Sequence, residues 1–157
     1  MTKYEQDYVD LLNRVMYRAH DYYRGNRTKS SSIMRFGESI TIDLNDTFPI
    51  LIGRKMYPKT FFTELKWFIE GETNIKRFKD AGIKIWDKWA DENGELGPVY
   101  GHQLRKFGST DREPEAGFDQ LLHVLWKLKH TPKDRRIVVS LWNPKEIYKM
   151  NLPPCYH

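Results

Sequence analysis

Apolar residues recur along this chain at two different periods, and the order in which those periods alternate limits the folds open to it. Tyr8, Leu11, Leu12, Val15, Met16 and Ala19 share one helical face, which predicts an amphipathic helix over about residues 4–23. The polar run Arg24 to Ser32 reads as a loop, and Ile40, Ile42 and Leu44 alternate with Thr41 and Asp43 as in a half-buried strand ahead of an Asn45-Asp46 turn. Phe61, Leu65, Phe68 and Ile69 predict a second, mostly buried helix over 60–70, and Asn74 is placed to cap a short helix ending at Gly82. Residues 85–101, rich in glycine and tryptophan, follow neither period. Helical spacing returns at Phe118, Leu121, Leu122, Leu125 and Leu128, before a short apolar run, Ile137 to Trp142, with the pattern of a buried strand. Asn143-Pro144 then opens a further helix. Helices and strands interleaved without repeat or linker predict an α+β fold over residues 1–157 as one domain.

The composition is that of a globular chain. Of 157 residues, 39% are apolar, 30% charged and 14% aromatic, which excludes a disordered polymer. No apolar run approaches the roughly 20 residues that span a bilayer, and the first residues lack a signal-peptide core, so a cytoplasmic protein is expected. The formal charge of +5 is spread along the chain and points only broadly to an anionic partner. A single cysteine excludes an intramolecular disulfide.

Three features can carry chemistry. Cys155 follows two prolines that hold the backbone extended. It is either a small apolar filler or a nucleophile, the second requiring neighbours that favour the thiolate. Arg135 and Arg136 precede the apolar run and are either a phosphate clamp or solvated charge, and Arg27, in the polar loop, offers the same choice. Glu64 lies beside Phe61 and Phe68 on the helix, so its carboxylate is either at the edge of the apolar stripe or buried and suited to proton transfer. Trp86 and Trp89 form either a stacking wall for a planar ligand or part of the core.

Four motifs in order decide among these readings. Trp86 to Gly101 (WDKWADENGELGPVYG), Glu64 to Ile75 (ELKWFIEGETNI), Asp134-Arg135-Arg136-Ile137 and Leu152-Pro153-Pro154-Cys155 together resemble the N-terminal portion of the thymidylate synthase family, with similarity over essentially the whole chain. The resemblance implies a mixed sheet packed with helices and a homodimer formed across its back. It implies that Cys155 adds to C6 of dUMP and turns C5 into a nucleophile toward the one-carbon unit of 5,10-methylenetetrahydrofolate. Glu64 and Tyr100 match the family's proton-handling glutamate and tyrosine. Trp86 and Trp89 match tryptophans on the folate side. Arg27 matches the loop arginine on the nucleotide phosphate, and Arg135 and Arg136 match a pair that reaches the partner's phosphate across the dimer.

The chain departs from the family pattern at Lys29-Ser30-Ser31-Ser32, where a Gly/Thr-rich loop is usual, at Arg54-Lys55 and Tyr57, and at Tyr156, where a histidine is usual. A branch of the same family, the hydroxymethylases of dUMP or dCMP, is therefore an alternative, as is, from another class, a non-catalytic nucleic-acid-binding module using the basic surface. The chain ends at His157, two residues beyond the nucleophile, so a truncated domain that is inactive in isolation is expected.

Overall fold

The computed structural model describes residues 2–17, 23–25, 31–46, 48–109, 113 and 116–155, and the chain divides into two compact units, Met1–Met56 and Tyr57–His157. In the first, helix α1 runs Lys3–Tyr17. Thr2 Oγ1 accepts the Glu5 N–H at 3.3 Å while Glu5 Oε2 accepts the Thr2 N–H at 3.1 Å, a reciprocal cap for two donors the helix itself leaves unpaired. The other Glu5 oxygen accepts the Ile52 N–H at 2.9 Å. These two backbone donors, Ile52 foremost, hold the Glu5 carboxyl below the usual carboxylate range.

One sequence expectation fails here, and another finds no pairing partner among the described residues. Tyr23, the expected end of the first helix, lies in strand β1, Tyr23–Gly25, which pairs antiparallel with β2, Ser31–Ile33. The stretch read as a loop thus supplies most of a hairpin whose three-residue strands are too short to show alternation. The strand expected at 40–44 has no ladder among the described residues. Asp43 Oδ1 instead accepts the backbone and side-chain N–H groups of Asn45 at 2.9 and 3.0 Å, and this local turn ends the extended run.

The second unit contains α2 (Pro58–Ile69), α3 (Lys76–Asp80), α4 (Tyr100–Lys106), α5 (Gln120–His130) and a 3-10 turn, Ile147–Lys149. Its core is Trp67, Ile75, Phe78, Ile83, Trp86, Leu96, Val99 and Met150. Helix α2 is less buried than its spacing predicts: Phe61 and Leu65 are 42% and 41% exposed. The inward face is instead that of Glu64, Trp67 and Phe68. Trp67, the bulkiest of these, is wholly buried, its indole N–H donates to the Asn74 carbonyl at 2.9 Å, and its rings meet those of Phe68, Phe78 and Trp86. Asn74 Oδ1 accepts the Lys76 N–H at 2.9 Å in a turn just ahead of α3, but the capping position expected at Asn74 falls one residue later, at Ile75, and the helix ends at Asp80.

No ladder runs through Ile137–Trp142 among the described residues, where strand pairing amounts to β1–β2 and the single bridges Asn74↔Glu95 and Phe107↔Phe118. A side chain takes the place of a neighbouring strand: Gln120 accepts the Ser140 N–H at 2.9 Å and donates to the Ser140 carbonyl at 2.7 Å. The helix expected after Asn143-Pro144 shrinks to the 3-10 turn. No helix among the described residues is long and apolar enough to cross a membrane.

Helix α4, which the sequence period did not reveal, is seated by Gly101. A Cβ there would lie 2.5 Å from the Glu72 carbonyl oxygen and 2.8 Å from the Gly71 carbonyl carbon, so only glycine lets α4 approach the end of α2 this closely. Gly101→Ala is expected to destabilise the chain by about 1–3 kcal/mol, as overpacking against backbone does, seen as a lower urea midpoint with unchanged slope.

Candidate active site

The segment from Met150 to Cys155 is fixed along most of its length. Gly97 (φ +77°) faces its start, and a Cβ at that position would lie 2.7 Å from the Lys149 carbonyl oxygen. Met150 enters the core, Asn151 Nδ2 donates to the Trp89 carbonyl at 3.0 Å, Leu152 packs against the core and Pro154 is fully buried. The two prolines remove backbone freedom just before the exposed thiol of Cys155.

That thiol meets Tyr100, the first residue of α4. The Cys155 N–H donates to the Tyr100 hydroxyl oxygen at 3.1 Å, and the same hydroxyl lies 3.4 Å from Cys155 Sγ. Because the oxygen accepts from the N–H, its own hydrogen is directed toward sulfur. Phe68 and Trp86 buttress the phenol, with ring centroids 4.7 and 6.1 Å away. Burial pushes the Tyr100 phenol up, and the contact with Cys155 and the charge of Glu64 add to the shift, so Tyr100 remains a proton donor at neutral pH.

Glu64 stands behind this pair. Its Oε1 accepts the Trp86 indole N–H at 2.9 Å, and its other oxygen has no protein partner among the described residues. Burial raises the Glu64 pKa, and the indole donor opposes the rise only in part. A half-buried carboxyl with one oxygen engaged and one open can hold or pass a proton to a bound molecule.

Of the residues singled out by sequence, Cys155, Tyr100, Glu64 and Trp86 therefore form one connected group. Trp89 is partly buried at its margin, its carbonyl holding Asn151. Arg135 and Arg136 do not join it: both are exposed, and Arg136 turns to Asp134, whose Oδ1 accepts its backbone N–H at 2.9 Å. Asp134 also pairs with Lys127 at 2.6 Å. Arg27 lies outside the described residues. Sequence reasoning missed Phe68 as the ring beneath Tyr100, Asn151 as the tie to the tryptophan loop, and Gln103. The only available signal was the placement of Gln103 one helical turn beyond Tyr100.

The raised pKa of Glu64 has a definite sign in stability. Over the pH range between its unfolded and folded values the native state holds the extra proton, so this group favours folding at low pH and opposes it once ionised. Glu64→Gln keeps an acceptor for Trp86 and removes the charge. Its melting temperature should equal or exceed wild type at neutral pH, and the difference should narrow and then reverse as pH falls through the carboxylate range. A difference that is flat with pH would show that Glu64 is not held in a desolvated place.

The group of thiol, phenol and carboxyl sits within a wider match. The thymidylate synthase family model covers residues 6–157, spanning both units and every one of these side chains. The chain belongs to the thymidylate synthase family.

Proposed function

We propose that Cys155 is the nucleophile of a C5 one-carbon transfer to dUMP, with reductive methylation as the outcome. The observation that carries this reading is the Tyr100 hydroxyl set between the N–H and the sulfur of one cysteine. The family to which the chain belongs supports the transferase class. The thiolate adds to C6 of the pyrimidine, the C5=C6 electron pair moves toward C5 and the C4 carbonyl, and C5 becomes nucleophilic. Tyr100, at hydrogen-bonding distance from Sγ, is the group placed to take part in removing the C5 proton. Glu64, with its raised pKa, exchanges a proton with the base through its open oxygen.

The cofactor of this family, methylenetetrahydrofolate, fits the groups present. A pterin needs a planar apolar wall and a polar contact at its edge, for which the partly buried Trp89, backed by the core indole of Trp86, and the Glu64 carboxyl are the groups that would serve. When bound, it supplies the one-carbon unit and the hydride. Arg27, Arg135 and Arg136 are assigned to the nucleotide phosphate. The exposure of Arg135 and Arg136, apart from the thiol, supports their acting on the site of a second copy in a homodimer. On the same reading, the runs 40–44 and 137–142 are strands of the family's mixed sheet.

The test is a covalent trap at protein concentrations that permit a dimer. With 5-fluoro-2′-deoxyuridylate and methylenetetrahydrofolate, fluorine cannot leave C5 as a proton does, so the adduct should persist on Cys155 in an intact-mass spectrum. Cys155→Ala should give none, and Tyr100→Phe should slow turnover of dUMP by roughly 10²-fold or more. Product mass separates methyl from hydroxymethyl transfer. A folded protein whose Cys155 is freely alkylated yet never bonds to the nucleotide would exclude this function.

A further inference from the structure

Gln103 is the odd member of the core. Its side chain is 0% exposed, and its Oε1 has no hydrogen-bond partner among the described residues, a costly state for a buried amide. What the residue does with its other end offsets that cost. Gln103 Nε2 donates to the Pro98 carbonyl at 2.7 Å and to Glu146 Oε2 at 2.9 Å. Pro98 lies two residues before Tyr100, and Gln103 lies three after it on α4. Glu146, itself 5% exposed, also accepts from Asn143 Nδ2 at 2.7 Å. It opens the 3-10 turn that runs into Lys149, Met150 and the strap ending at Cys155. The Gln103 carbonyl is in turn held by Gln120 Nε2 at 2.8 Å. One buried amide therefore joins the element that carries the phenol to the segment that carries the thiol.

We propose that Gln103 and Glu146 are a positioning pair that sets the register of the Tyr100–Cys155 hydrogen bond and, through it, the reactivity of the thiol. Its meaning for catalysis rests on the function proposed above, but the register itself does not. A hydrogen bond of 3.4 Å to sulfur tolerates little displacement, and the two partners lie 55 residues apart with this network as a polar link between them. A merely structural Gln103 would behave differently. Its replacement by a residue of similar shape would change stability and leave the native thiol as reactive as before.

Cys155 is the only cysteine in the chain, so its alkylation by iodoacetamide reads the thiol directly. The full chain is compared at one near-neutral pH, well below the melting transition, with near-ultraviolet circular dichroism as the check on folding. Tyr100→Phe removes the donor to sulfur and should slow alkylation about threefold, because the attacking sulfur loses the hydroxyl that holds it in place and supports negative charge on it. Gln103→Met should slow it similarly, and the double variant should be no slower than Tyr100→Phe alone, since both remove one bond. Glu146→Gln retains an acceptor for Gln103 and should keep the wild-type rate, whereas Glu146→Ala should lose it. If Gln103→Met does not fold, the Glu146 pair carries the test. Independent, multiplying effects of Gln103→Met and Tyr100→Phe would overturn the proposal, as would a folded Gln103→Met or Glu146→Ala that alkylates at or above the wild-type rate. Failure of the nucleotide trap in wild type, with this cycle intact, would remove the proposed reaction and leave the positioning pair standing.

Discussion

The approach of α4 to the end of α2 at Gly101 governs the rest of the second unit. Backbone lies against backbone there, which leaves no room for adjustment by side-chain rotation. Tyr100 is the residue immediately before this contact and Phe68 lies three residues before Gly71. The main-chain geometry thus brings their rings together, tilted by 31° at 4.7 Å. Trp67 sits one position from Phe68, and its burial fixes Trp86, which in turn engages Glu64. A phenol and a carboxyl are thereby held at the surface of one aromatic cluster by a glycine that touches neither.

That cluster also determines the electrostatics. Tyr100 and Glu64 are both shifted toward their protonated forms by loss of water, and among the described residues no cation reverses the shift. Arg135 and Arg136 are exposed away from this group, Arg136 lying beside Asp134. Among the described residues, the carboxyl and the phenol thus share a partly desolvated surface that favours their neutral forms.

Much of this was legible in the sequence, for reasons that differ by residue. Helices α1, α2 and α5 appeared because their apolar residues repeat at helical spacing, and α3 because Asn74 is a local polar signal just ahead of it, although the capping position is Ile75. Cys155, Glu64, Tyr100 and Trp86 were found through motif order, since no periodicity points to a thiol. What stayed hidden depends on distant partners. Helix α4 is short and owes its place to Gly101; the face α2 buries is decided by Trp67; and the hairpin of β1 and β2 is too short for alternation to register. Gln103 and Asn151 hold groups far away in sequence, and nothing local distinguishes such an amide from a solvated one.

The pairing of Gln120 with Ser140 has a consequence for how this chain can meet other strands. In an extended segment, consecutive residues direct their N–H and C=O groups to opposite sides. The Ser140 pair is already taken by one amide, so a strand arriving on that side would have to break two hydrogen bonds before forming any. Among the described residues the other side, that of Val139 and Leu141, carries no such plug. An apolar run that would otherwise be an indiscriminate template for aggregation is thus made one-handed, open to partners from a single direction.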